Sequence, residues 1–194
     1  MSAPWPADGR RRRSVDSRSR LVGAMLELVA EGHPSPGAEQ VAARAGIGLR
    51  SVFRHFKDMD SLYDELSAII AERLDAMARM PLQATAWRGQ MHEILARRIA
   101  AFEALAPFLH AGQLHRHRSP SLRADHARFV GDLRVLLARV LPGGRADDKV
   151  LVEALVLLLS FEAWRRLRDE QGLGADAAEA VLARALESLI SPAG

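Results

Sequence analysis

Residues 36–57 read PGAEQVAARAGIGLRSVFRHFK, and this stretch decides the fold. Val41, Ala42 and Ala45 recur at helical spacing on one face of a short helix. Gly46 follows, the residue type that enters the left-handed conformation a tight turn needs. About three residues later a further helix spans 49–55, with Val52 and Phe56 on its inner side and Ile47 as the apolar plug beneath the turn. Small alanines let the two helices approach closely, which is the pattern of a helix-turn-helix. The outer side of the second helix presents Leu49, Arg50, Ser51, Phe53, Arg54 and His55, with Lys57 just beyond, as candidates for contact with bases or phosphates. A plain αα-hairpin gives the same local pattern, so the motif by itself leaves both readings open.

Upstream, Ser14 is a candidate N-cap, followed by an apolar stripe of Leu21, Met25, Leu28 and Val29. Gly32-His33-Pro34 stops that helix, and Ser35-Pro36 restarts the chain as N-cap and first-turn proline. Residues 1–13 read as a disordered arm ending in Arg10-Arg11-Arg12-Arg13, of which Arg12 and Arg13 are candidate DNA contacts. Charge is divided along the chain. Residues 1–57 hold ten Lys/Arg against five Asp/Glu, whereas residues 58–194 hold seventeen against nineteen. The basic quarter is where a nucleic acid is expected.

Downstream, Asp58 caps a helix with the stripe Leu62, Leu66, Ile69, Ile70 and Leu74, ending before Pro81. Five more helices are expected, over about 85–105, 107–116, 120–141, 146–170 and 175–190. No strand alternation is present, so the fold class is all-α with about nine helices. The expected division is 1–57, basic arm and helix-turn-helix DNA-binding domain, and 58–194, a helical bundle for effector binding and dimerisation.

The run AARAGIGLRSVFRHFKDMDSL at 42–62 resembles the TetR family of transcriptional regulators. Val41, Ala42, Ala45, Gly46, Ile47, Ser51, Val52, His55, Phe56, Asp60 and Leu62 fit that family's pattern. SFEAWRRLRDEQGLGADAA, at 160–178, resembles the penultimate helix and its exit in many members. The resemblance implies a homodimeric repressor whose recognition helices enter successive major grooves of a palindromic operator, released when a small molecule binds the C-terminal domain. Three positions depart from the pattern. Phe53 stands where the family usually has a phosphate-contacting Tyr, Met59 where it has Lys, and Gly48 where it has Ser or Thr.

Other functions find little support. Cysteine is absent, which excludes disulfides and thiolate metal sites. His92-Glu93 is followed by Ala96 where a zinc-binding helix needs a second His. No GxSxG, P-loop or GxGxxG occurs, so neither an enzyme nor a cofactor is expected. The most apolar stretch, 150–161, has 12 residues against the roughly 20 of a membrane span, which points to a cytoplasmic protein. The helix expected at 146–170 is apolar on nearly every side over 150–164, and with the helix at 175–190 it is expected to form the dimer interface. An effector pocket is expected among Trp87, Met91, His92, Phe102, Phe108, Gln113, Phe129, Glu162 and Trp164. The alternatives are a regulator controlled by a protein partner, and a ligand-binding or enzymatic bundle with a vestigial helix-turn-helix.

Overall fold

Helix formers fill the chain from end to end, and the computed structural model, which describes residues 6–191 with side chains from Ser14 onward, is all-α. Its helices are α1 (Pro6–Ala30), α2 (Ala38–Ala45), α3 (Leu49–His55), α4 (Met59–Ala78), α5 (Trp87–Arg116), α6 (Pro120–Val140), α7 (Lys149–Leu158), α8 (Phe161–Arg165) and α9 (Ala175–Ile190). A 3₁₀ turn at Gly143–Arg145 precedes α7, and a π-helical turn at Arg166–Glu170 extends α8. Among the described residues there is no strand, and no helix is long and apolar enough to cross a membrane.

Several boundaries differ from the sequence reading. α1 begins at Pro6, so the basic run read as an arm is helical from there, and Ser14 lies inside the helix rather than capping it. Arginine is a good helix former, and proline is favoured in a first helical turn. The cap of α2 is Gly37 rather than Ser35, with Gln40 Oε1 accepting from the Gly37 N–H at 2.9 Å. Pro107 does not divide 85–116 into two helices, and α5 runs through it. A proline inside a helix costs about 3 kcal/mol. Burial of Ile99, Phe102 and Leu105 before it and Ala111 after it favours keeping both halves helical.

The single helix expected over 146–170 is instead broken at Ser160. That residue is extended, and its Oγ accepts from Ala163 N at 3.1 Å as the cap of α8. Serine competes for backbone groups in this way wherever the chain allows it. The Leu159 carbonyl beside the break accepts from Arg98 Nε. Burial pulls the Arg98 guanidinium down to about 10, with the Glu162 carboxylate opposing the shift, so the side chain stays charged at neutral pH.

The chain forms two compact units, and their boundary is not the expected 57/58. The first comprises residues 1–72 and 107–123; the second comprises 73–106 and 124–194. Apolar stripes on α4 place its first turns in the first unit, whose core is Leu21, Met25, Val41, Val52, Leu62 and Leu66, joined by Ala111 of α5. In the second unit Met91, Leu137, Leu155, Trp164, Leu186 and Ile190 are all but inaccessible.

Candidate nucleic-acid interface

Local geometry within the first unit builds a helix-turn-helix from α2 and α3. Gly46 sits at φ +63°, ψ +38°, a conformation costly for any residue with a Cβ. Its N–H donates to Ala43 O at 3.2 Å and the Ile47 N–H to Ala42 O at 3.0 Å, closing the end of α2. Arg20 of α1 donates to the free carbonyls of Ala45 and Gly46, the second at 3.4 Å. A Cβ on Gly46 would also lie 3.1 Å from that guanidinium, which would have to shift by a few tenths of an ångström. Ala42, Ala45, Val52 and Phe56 are buried between the helices and α1.

The exit of α3 is held by a second arginine of α1. Arg18 donates to the His55 carbonyl at 2.8 Å, pairs with Glu65 of α4, and lies 4.3 Å from the centre of the Phe56 ring. Arg44 of α2 forks onto Glu31 at 2.8 and 2.6 Å. Part of the basic excess in residues 1–57 therefore serves as scaffold. Spacing in the sequence carries no signal for this, because the acceptors are backbone carbonyls and carboxylates set beside these arginines only by folding. Asp58 caps α4 as expected, accepting from Ser61 N at 2.8 Å.

What remains on α3 is an exposed edge. At about 100° per residue, Leu49, Phe53, Arg50 and Arg54 occupy one continuous arc, and all four are exposed. Among the described residues, no hydrogen bond or ion pair engages Arg50 or Arg54. Lys57 is exposed just beyond the helix. Ser51 and His55 are half-buried and flank the inner face beside Val52. The side chains of Arg12 and Arg13 lie outside the described residues. Met59 packs against the core of the unit, which accounts for an apolar residue where the TetR pattern has lysine.

Two half-buried imidazoles bear on how this unit responds to acid. Burial pushes His55 below its ordinary 6.5, and the Arg54 and Arg18 charges push the same way. Burial also lowers His115, whose ring stacks on Tyr63 at 3.7 Å. The Asp60 charge and a hydrogen bond to the Pro34 carbonyl oppose that shift, while Arg118 and His117 add to it. Neither Nε2 has a hydrogen-bond partner among the described residues. Because both folded values lie below the unfolded one, the unfolded chain binds more protons as pH falls through 6.5. Folding stability is therefore expected to be complete above about pH 6.5 and to decline as pH falls below it. His55→Gln and His115→Gln should each flatten that slope in thermal melts. An unchanged slope in both variants would show that neither histidine sets it.

The nine candidate effector residues fall into both units. Phe108 and Gln113 belong to the first, and the other seven to the second. Met91, Phe102 and Trp164 are buried in the core of the second unit. Trp87 lies against Arg88 and Arg145, and Phe129 against Arg128. His92 pairs with Glu187, and Glu162 faces Arg98. Among the described residues no three His, Asp or Glu side chains converge to hold a metal ion.

No family model matches the chain, and no curated protein matches it in sequence. Solved structures do match it over most of its length. A transcriptional regulator from Rhodococcus sp. RHA1 superposes with a TM-score of 0.70 at 18% identity, covering 89% of this chain and 95% of the other. A TetR/AcrR-family transcriptional regulator from Thermobifida fusca gives 0.62 at 21% identity, with 92% and 100% covered. This chain has the TetR/AcrR fold. A TetR transcriptional regulator from the same Rhodococcus strain matches at 0.58 and 18% identity, over 91% of this chain and 96% of that one. At such identities a TetR/AcrR likeness fixes the course of the backbone, and the side chains described above must carry the rest.

Proposed function

We propose that this chain is a DNA-binding transcriptional regulator of the TetR type, a homodimeric repressor of a palindromic operator. The observation that carries the reading is the exposed arc of α3, where Arg50 and Arg54 stand without a partner among the described residues, on a helix-turn-helix closed by Gly46. Arginine forks onto the O6 and N7 of guanine, the commonest specific contact in the major groove. Lys57 supplies a phosphate contact beside them.

Dimerisation is supported by apolar residues left on the second unit. Val150 and Leu157 are 81% and 67% exposed and lie seven residues apart on one side of α7, and Val181 of α9 is 45% exposed. A second copy of the chain would cover them. A small-molecule effector, held in the second unit, would release the operator. Trp87, His92, Phe129 and Glu162 are its candidate contacts, since they are half-buried rather than sealed in the core.

Arg50→Ala and Arg54→Ala are each expected to weaken operator binding by about 1–3 kcal/mol per half-site while leaving random-sequence DNA nearly unaffected. Fluorescence anisotropy against a duplex enriched from a random library checks this at fixed salt. Equal losses on enriched and random duplexes would assign the arginines to the backbone. Failure of the whole chain to enrich any duplex would overturn the reading.

A further inference from the structure

Leu49 and Phe53 are four residues apart on α3, so their side chains lie about 40° from one another around the helix. Leu49 is 39% exposed and Phe53 53% exposed. They form the apolar half of the arc whose other half is Arg50 and Arg54. Both leave a large part of their apolar surface open, although the same short helix buries Val52 almost completely. A phenyl ring offers no hydrogen bond, so Phe53 reads neither the donors and acceptors of a base edge nor a phosphate. Among the groups on the floor of the major groove, only the 5-methyl of thymine is apolar. The unpaired arginines alongside, with Lys57 beyond them, favour a polyanion over an apolar protein surface.

We propose that Leu49 and Phe53 form a reading edge for thymine 5-methyl groups, so that operator choice depends on thymines beside the guanines taken by the arginines. The inference rests on the DNA-binding reading above and adds the chemistry of the base it selects. Leu49, the first residue of α3, stands where a recognition helix meets the base edges, and Phe53 lies one turn further along the same side. Gly48, which precedes them, has open space around it and carries no side chain to hold the groove away.

The test compares thymine with uracil, which differ only in that methyl. Duplexes enriched from a random library by the full-length protein are resynthesised with uracil at each conserved thymine in turn. The expected result is a loss of about fourfold in affinity for each contacted methyl, the worth of one buried carbon. Phe53→Ala and Leu49→Ala should each bind more weakly and stop distinguishing thymine from uracil at the position its side chain contacts. Both side chains are exposed, and unchanged thermal melting confirms that the variants fold. Full-strength binding of every uracil duplex by the wild type would overturn the proposal while leaving DNA binding intact. A library with no enriched duplex would overturn both.

Discussion

Replacing Trp164 with alanine will cost the chain about 3–5 kcal/mol, the range for truncating a buried tryptophan. The side chain is 2% exposed within the second unit. Its indole N–H donates to Glu103 Oε1 at 2.8 Å, and the Arg168 guanidinium lies 5.8 Å from the ring centre. Truncation opens a void that helices fixed by the rest of the core fill only in part. Glu103 keeps its contact with Arg168 Nε at 3.2 Å, so the loss comes mainly from packing. Against a typical stability of about 5–15 kcal/mol, it is a large fraction of the whole. Urea denaturation followed by circular dichroism should show a lower midpoint at unchanged slope. Trp164→Phe, which keeps a ring and loses the donor, should recover the greater part. A loss below about 1 kcal/mol for the alanine variant would contradict the packing described here.

Leu157→Asp is expected to convert a dimer into monomers that remain folded. Leu157 is exposed on the protomer, so a carboxylate there is harmless until a second copy covers it. Burying that charge without a partner costs about 3–5 kcal/mol, more than a hundredfold in dissociation constant. A two-fold interface carries the change on both sides. Sedimentation at micromolar concentration should show the wild type as dimer and the variant as monomer, with matching far-ultraviolet spectra. A monomeric wild type would overturn the proposed assembly. Position matters in choosing the variant. Leu186 lies on the neighbouring α9 but is 0% exposed, so a charge there breaks the protomer itself and reports nothing about assembly.

The helix-turn-helix was legible because its signals are local. Gly46 stands where the backbone turns left-handed, and alanines stand where two helices approach closely. The reading placed α3 at Leu49–His55, where it lies. Helix ends governed by competing signals were less legible. Pro107 reads as a breaker, yet α5 continues through it, since tertiary burial on both sides outweighs a local penalty of a few kcal/mol. Ser160 gives no sign amid a run of leucines, and only the fold makes it a cap.

By itself the sequence determined the all-α class, the turn at Gly46 and the types of side chain on α3. Each follows from propensity, periodicity and backbone sterics acting within about ten residues. Tertiary structure decided which charges are free. Arg18, Arg20 and Arg44 engage His55, Ala45, Gly46, Glu65 and Glu31, while among the described residues Arg50 and Arg54 have no hydrogen bond or ion pair. It also drew residues 107–123 into the unit of the first four helices, with the His115 ring on Tyr63. These outcomes depend on contacts between residues up to about fifty positions apart. Such pairs are brought together only when the apolar faces of several helices share one core, and no local pattern along the chain encodes them.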